Sequence, residues 1–231
     1  MNYQAVILAA GMGTRLGKQP WPKPLTPLAD GRSIMRQQLD NLQQVFGEQL
    51  RVLIVVGFKL ESILEAFPDV SYAYNESFDQ TNTNRSLLKA LRQVSDGGVL
   101  WLNGDVVFDP MVLERAKTLI DADQSFVCVN TAAVAEEEVK YTIDSNGFID
   151  ALSKQVNPAL GEAVGINYIS RTDRAALIRG LEACQDSDYF ERGIEISIEK
   201  ESLQVLPLDI TEYFVVEIDF AEDLSRANKH L

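Results

Sequence analysis

Ala5-Val6-Ile7-Leu8-Ala9 runs straight into Ala10-Gly11-Met12-Gly13-Thr14-Arg15, and the fold turns on this passage. An unbroken apolar run is what a strand buried on both faces of a parallel sheet requires. The turn that follows carries two glycines, so backbone amides can approach an anion with no Cβ in the way. Arg15, and then Lys23 inside Pro22-Lys23-Pro24, add positive charge where a triphosphate would lie. Two well-known phosphate loops fail here. A dinucleotide GxGxxG needs glycine at the position held by Leu16, and a P-loop ending at Gly17-Lys18 needs glycine where Met12 stands and serine or threonine where Gln19 stands.

Outward from this loop, strand and helix signals alternate. Residues 5–9, 51–56, 70–74, 99–102 and 125–129 read as strands. Residues 33–46, 59–67, 82–94 and 110–120 read as helices. That alternation implies right-handed βαβ crossovers and a parallel sheet. Ligands on such sheets bind at the carboxyl ends of the strands, so the loops after Ala9, Tyr74 and Leu102 are expected to face one site. The pattern changes after residue 136. Residues 141–143, 148–153 and 165–169 read as strands with a turn at Asn146-Gly147. Helices are expected over 172–183 and 189–199, short strands over 203–206 and 214–216, and a closing helix over 221–231. The expected class is α/β: a Rossmann-like, mostly parallel sheet flanked by helices, with a small β-rich acceptor-binding insertion. One continuous domain spans 1–231, with a nucleotide-binding half to 135 and an acceptor-binding half from 136.

Composition narrows the function. Of 231 residues 46% are hydrophobic and 24% charged, ordinary for a chain with a real core. The net charge of −13 argues against nucleic acid and against an anionic membrane surface as partner, but not against a single nucleotide in a local basic pocket. Cys128 and Cys184 read as two reduced thiols, and the single histidine, His230, removes both a catalytic histidine and a multi-histidine zinc site from consideration. The first apolar run is too short for a signal peptide, and no stretch approaches the roughly 20 apolar residues of a membrane helix. The expected location is the cytoplasm, and a homo-oligomer remains open.

Taken together, LxAGxGxR (Leu8, Ala9, Ala10, Gly11, Met12, Gly13, Thr14, Arg15) followed by PK resembles the signature loop of the nucleotidyltransferase family, which includes the sugar-phosphate nucleotidyltransferases and the phosphocholine cytidylyltransferases of bacteria. The interval from Arg15 to Lys23 is short for that family. Asn103-Gly104-Asp105-Val106-Val107-Phe108, at the end of the fourth strand, is similar to the family's GDxxF segment, whose Asp is a metal ligand. Glu217-Ile218-Asp219, with Asp223 following, resembles its EIDxxxD segment, whose first Asp supplies the second metal ligand. Read alone, Asp219 serves equally well as the N-cap of the last helix.

Asn75, then Asn82, Asn84 and Ser86, place amides and hydroxyls at a helix start, where they can read a base edge or merely cap the helix. This pattern resembles the phosphocholine-type enzymes more than the hexose enzymes and favours CTP. A lysine after the hairpin, Lys154, matches the family's acceptor-phosphate lysine, a solvated surface cation being the lesser alternative. The run holding Glu162, Gly165 and Asn167 matches an acceptor-pocket segment. A choline ligand would need an aromatic cage. Tyr141, Tyr168, Tyr189 and Phe190 are the candidates, and no clear cage emerges.

The resemblance implies a Mg²⁺-dependent transfer of NMP, from CTP by preference, to a small phosphorylated or phosphonate acceptor. Asp105 and Asp219 hold Mg²⁺, with Gly104 beside them. Arg15, with backbone amides of Gly11 to Thr14, holds the outer phosphates. Lys23 neutralises the α-phosphate, and Lys154 orients the acceptor. A hexose-1-phosphate enzyme using UTP, dTTP or GTP is the nearest rival. A non-catalytic nucleotide-sugar-binding regulator is a rival of another class.

Overall fold

Eleven strands and seven α-helices are present in a computed structural model that describes residues 3–17, 19–132, 134, 136 and 138–231. The side chain of Thr14 lies outside that description, as do Lys18 and Ala135, the last of these at the expected boundary between the halves. The strands are β1 (Tyr3–Ala9), β2 (Leu50–Val56), β3 (Ser71–Tyr74), β4 (Val99–Asn103), β5 (Val106–Phe108), β6 (Phe126–Asn130), β7 (Lys140–Ile143), β8 (Ile149–Ser153), β9 (Gly161–Ile169), β10 (Leu206–Asp209) and β11 (Val215–Glu217). The helices are α1 (Ile34–Phe46), α2 (Leu60–Ala66), α3 (Thr83–Gln93), α4 (Met111–Asp121), α5 (Arg174–Ala183), α6 (Phe190–Glu201) and α7 (Ala221–His230).

The main sheet runs β10-β6-β9-β4-β1-β2-β3. β1 lies parallel between β2 and β4, β2 is parallel to β3, and β10 is parallel to β6. The sheet is mostly parallel, as expected, and its antiparallel section is β9, which inserts between β4 and β6. It also carries the β7–β8 hairpin on its first residues. β9 comes from the second half of the sequence and pairs on both sides through backbone groups, so no local pattern announces its place.

Alternation along β1 explains the two layers. Ala5, Ile7 and Ala9 face a core shared with Met35, Leu39 and Leu42 of α1, Ile63 of α2 and Val112, Leu113 and Ala116 of α4. Val6 and Leu8 face Leu87, Leu88 and Leu91 of α3, Leu177 and Leu181 of α5 and Phe190 and Ile194 of α6. Every residue from Ala5 to Ala9 is buried, as a central strand covered on both faces demands. A third cluster joins Leu28, Ile34, Val107, Val216, Ile218 and Ala227, and it fixes the short β5–β11 pair under α7.

Helix ends follow their side chains. Ser33 caps α1 by accepting a hydrogen bond from the Arg36 amide at 3.2 Å. Asn82 caps α3 by accepting from the Thr83 amide at 2.8 Å. A strand was expected over 203–206, but Leu206–Asp209 forms instead. It places Pro207 on an edge strand, where a missing amide is tolerated. β5 was not foreseen, because three residues are too few to show a period.

Candidate functional site

The carboxyl ends of β1 and β4, the β5–β11 pair, the last turn before α7 and the start of α6 meet at one cleft. Gly11, Arg15, Lys23, Asp105, Glu217 and Asp219 lie along one part of its wall, and Glu138, Lys154, Tyr189, Phe190 and Glu191 along another.

Two glycines shape the near wall. The Gly104 amide donates to the Leu8 carbonyl at 2.9 Å, and a Cβ there would stand 2.6 Å from that oxygen. Only glycine therefore lets the turn after β4 close against β1. Gly13 adopts φ +57°, and a Cβ would fall 2.7 Å from the Lys23 Cβ. This close approach seats Lys23 against the loop, so the short interval between Arg15 and Lys23 is sufficient. Gly11 has no atom within 4 Å of its would-be Cβ, which leaves its backbone open to the cleft.

Lys23 is the centre of the charge network. Its Nζ donates to Asp105 Oδ2 and to Asp219 Oδ1, each at 2.7 Å, while Arg15 pairs with the other oxygen of Asp219. Burial alone would favour neutral lysine. The two carboxylates outweigh it and hold the ammonium above its ordinary pKa. The carboxylates come from distant parts of the chain and are tied together by backbone. β5 pairs antiparallel with β11, and the Ile218 amide donates to the Asp105 carbonyl at 2.9 Å. Asp219 is not the cap of α7. Asp223 takes that role, accepting from the amides of Asp219 at 3.1 Å and Phe220 at 2.8 Å, which frees the Asp219 carboxylate for the cleft.

A buried polar face of α1 braces the Asp105 turn from behind. Gln38 donates to the carbonyls of Asn103 and Val106, both at 2.8 Å. Gln37 and Asn41 donate to the carbonyl of Phe108 at 2.6 and 2.8 Å. Below the turn, Asn103 donates to Glu217 at 3.1 Å. Glu217 is pushed well above the carboxylate range by burial, then by the charges of Asp105, Glu138 and Asp219.

The donor set suits a hard divalent cation. Asp105 Oδ1 is buried without a hydrogen-bond partner, and both aspartates already converge on one cationic nitrogen. Among the described residues no cluster of three or more His, Cys, Asp or Glu is placed to hold a metal. Phosphate oxygens and water would therefore complete the coordination of an ion held by these two.

The other sequence-derived candidates divide. Leu8, Ala9, Asn82, Lys154 and Gly165 line the cleft. Gly165, at φ +70°, lets β9 pass with a would-be Cβ only 2.7 Å from Asn103 Nδ2. Thr14 opens a 3₁₀ turn over Thr14–Leu16. Ala10 is buried, and its carbonyl accepts from the Phe58 amide at 3.0 Å. Met12 is exposed and faces a neighbouring hollow with Leu16, Trp21 and Phe58.

Asn75, Asn84 and Ser86 are buried and do not line the cleft. Asn75 donates to Thr81 Oγ1 at 3.2 Å and to Ser86 Oγ at 3.1 Å, and Asn84 donates to the Gln185 carbonyl at 2.7 Å. Asn75 thus braces the β3–α3 loop against α3, and Asn84 ties α3 to the α5–α6 connection, so these side chains bond the protein itself. Glu162 and Asn167 also lie away from the cleft wall. Glu162 faces Asn130 and Lys140 in the sheet register, and Asn167 is buried between Trp101 and Val127. Of the aromatic candidates, Tyr141 and Tyr168 sit in the core, whereas Tyr189 and Phe190 reach the cleft.

Glu138, Glu191 and the position of Glu217 escaped the sequence reading. Glu217 had a signal in the EID run. Glu191 follows Tyr189-Phe190, which was already flagged, but nothing in sequence marks its burial.

A mostly parallel sheet with a glycine-rich phosphate-type loop at its carboxyl edge, facing two converging aspartates, defines a nucleotide-handling α/β protein. Residues 5–189 match the MobA-like NTP transferase domain, and the chain belongs to that family. It is 42% identical over 120 residues to the CMP-5'-(3-aminopropyl)phosphonate synthase of Streptomyces rubellomurinus, a match covering 48% of this chain but 18% of that larger protein. Among solved structures, the CTP:phosphocholine cytidylyltransferase LicC from Streptococcus pneumoniae superposes with a TM-score of 0.79 at 16% identity, over 100% of this chain and 99% of that one. The inositol-1-phosphate CTP transferase from T. maritima does so with a TM-score of 0.77 at 15% identity, over 100% and 98%. At such identities these two establish the shared fold.

Proposed function

We propose that this protein transfers CMP from CTP to a small phosphate- or phosphonate-bearing acceptor, with release of pyrophosphate and with Mg²⁺ as cofactor. One observation carries it: Asp105 and Asp219 converge on one cation position in the cleft that Gly11 and Arg15 also line. The preference for CTP is supported by the CMP-transferring relative and by the two cytidylyl-type structural neighbours.

The chemistry asks little of side chains as acids or bases. An oxygen of the acceptor's phosphoryl group, ionised at neutral pH, attacks the α-phosphorus. The bond from that phosphorus to the bridging oxygen breaks, and pyrophosphate leaves with the electron pair. No general base is needed, in keeping with a cleft that holds no histidine. The chain supplies position and charge. Arg15 and the amides of the loop from Gly11 to Thr14 hold the β and γ phosphates. Asp105 and Asp219 would hold Mg²⁺, which would supply Lewis-acid withdrawal of charge from the phosphoryl oxygens. Lys23, which lies between the two aspartates, would neutralise the α-phosphate during transfer. Asn82, at the start of α3, lines the cleft and is the residue that this reading gives to the base. Lys154 draws the acceptor's phosphoryl group into the cleft.

Replacing Asp105 tests the assignment. Asp105→Ala is expected to lower kcat roughly 10²–10³-fold while leaving the circular dichroism and cooperative unfolding intact. Near-normal turnover in that variant would remove the metal role.

A further inference from the structure

Lys23 can act at one fixed point only if the chain on either side of it is held, and the local sequence is poorly suited to backbone pairing. Gln19-Pro20-Trp21-Pro22-Lys23-Pro24 alternates proline with other residues, so every second amide donor is missing. Such a stretch joins neither an α-helix nor a sheet and has to be fixed by other means. After Lys23 the fixing is backbone. The Thr26 carbonyl accepts from the Ile34 amide at 3.1 Å, which ties the 3₁₀ turn Lys23–Leu25 to the start of α1.

Before Lys23 the fixing comes from a side chain on another element. Lys59 Nζ donates to the Pro20 carbonyl at 2.6 Å and approaches the Gln19 carbonyl at 3.5 Å. Its ammonium meets neutral groups here, since the ring of Phe58 lies on its other side with the centre at 5.4 Å. Apolar packing contributes less. Met12, Leu16, Trp21 and Phe58 line a cavity of about 500 Å³ against the loop, and Met12 and Trp21 are exposed.

The turn that carries Lys59 has constraints of its own. Lys59 sits at φ +49°, in the left-handed region that residues with a Cβ adopt uncommonly. Glycine or asparagine would suit that backbone better, so the lysine side chain is present against the local preference. At Gly57 a Cβ would fall 2.7 Å from the Ala10 carbonyl oxygen and 2.6 Å from the Phe78 Cβ. This close approach brings the Phe58 amide to the Ala10 carbonyl at 3.0 Å. One short turn between β2 and α2 therefore grips the glycine-rich loop at its entry, through Ala10, and at its exit, through Pro20. Because proline fixes φ at residues 20 and 22, a displacement at Pro20 is passed on to Lys23 with little absorbed between them.

We propose that Lys59 is a positioning residue for the transfer: by fastening the Pro20 carbonyl to the β2–α2 turn, it fixes Lys23 at the cation position shared by Asp105 and Asp219. This rests on the transfer reading above and deepens it, because Lys23 neutralises the α-phosphate only from that place. Lys59→Met keeps the stem of the side chain and removes the donor.

Two double-mutant cycles with Lys23→Met test this. The first follows thermal unfolding in EDTA for wild type, Lys59→Met, Lys23→Met and the double variant. With the clamp gone, less of the Lys23 contact is left to lose. The double variant's fall in melting temperature should therefore be smaller than the sum of the single falls by about 2 °C or more. Additive falls would overturn the proposal. The second follows pyrophosphate release from CTP with Mg²⁺ and 3-aminopropylphosphonate, phosphocholine or inositol 1-phosphate as acceptor, with CTP binding measured separately by calorimetric titration. Lys59→Met should lower kcat about 10-fold and leave the Kd for CTP within about 3-fold, because Arg15 and the loop amides hold the outer phosphates. In the Lys23→Met background the same substitution should change kcat by less than about 2-fold. An unchanged kcat in Lys59→Met, a loss confined to CTP binding, or an equal loss in both backgrounds would overturn the assignment. The two readings fail separately. If wild type releases no pyrophosphate, the transfer reading fails and the melting cycle alone decides on Lys59. If wild type turns over and the melting cycle is additive, Lys59 loses its role and CMP transfer stands.

Discussion

Replacing Lys23 with methionine would separate its two roles. Its ammonium makes two 2.7 Å contacts, to Asp105 and Asp219, and only 9% of the residue is exposed. Methionine keeps the length and packing of the side chain and removes the charge. Two charge-assisted hydrogen bonds disappear, and two carboxylates that are 22% and 18% exposed lose their shared counter-ion. Each such bond is worth roughly 1.5–3 kcal/mol when fully buried. Partial exposure and the remaining Arg15 contact reduce the total to about 2–3 kcal/mol. For a chain of this size that lowers the melting temperature by roughly 5–10 °C.

Divalent metal reverses the loss. On the proposed metal role, the two aspartates of Lys23→Met would be free to take Mg²⁺, whereas in wild type the ion would compete with the ammonium. Thermal unfolding in EDTA and in millimolar Mg²⁺ measures both effects. Lys23→Met should be the less stable protein in EDTA, should gain more from Mg²⁺ than wild type does, and should still turn over roughly 10²–10³-fold more slowly. Equal melting temperatures in EDTA, or the same gain from Mg²⁺ in both proteins, would refute the view that Lys23 holds the cation position.

Two further outcomes follow from other parts of the site. Glu191 has a folded pKa of about 7 against an ordinary 4.5, so the native state keeps a proton that the unfolded chain has released. Its contribution to stability is therefore fully present below about 4.5 and is lost as pH rises to about 7, by an amount on the order of 3 kcal/mol. Glu191→Gln should flatten this slope and be the more stable protein at pH 8, checked by urea unfolding at pH 5 and pH 8; an unchanged slope would remove the burial effect. Gln38→Leu should cost about 2–3 kcal/mol, because two buried carbonyls lose their donor. It should also raise the Mg²⁺ concentration needed for half-maximal activity, since the Asp105 turn loses its brace. A loss of stability with unchanged metal dependence would confine Gln38 to packing.

How much of this could be read from the chain depends on the range over which each feature is determined. The β1 strand and its loop are local: an apolar run must be covered on both faces, and two glycines must follow for the backbone to turn. Apart from the three-residue β5, the strands and α-helices up to residue 130 were legible for the same reason, with ends shifted by a residue or two. β9 was legible as a strand but not as an antiparallel neighbour of β4 and β6, because its register is set by partners more than 30 residues away in sequence. Leu206–Asp209 was obscured by Pro207, which is tolerated only because that strand lies at the sheet edge. Asn75, Asn84 and Ser86 look alike in sequence whether they face a ligand or the interior; only the packing of the α5–α6 connection over α3 decides. Gln37, Gln38 and Asn41 sit beside the apolar stripe of α1 and read as surface until β5 is seen to present bare carbonyls to them. The Asp105 and Asp219 motifs were visible as short segments, whereas the burial of Glu191 is a property of the assembled cleft.

CMP transfer itself is tested most directly by incubating the protein with Mg²⁺ and each of CTP, UTP, dTTP, GTP and ATP in turn, against a panel of small phosphates and phosphonates, and reading pyrophosphate release. Release that requires both CTP and an acceptor, and that stops when Mg²⁺ is chelated, is the predicted result. Release that instead requires UTP, dTTP or GTP with a hexose 1-phosphate, or no release from any pair, would contradict it.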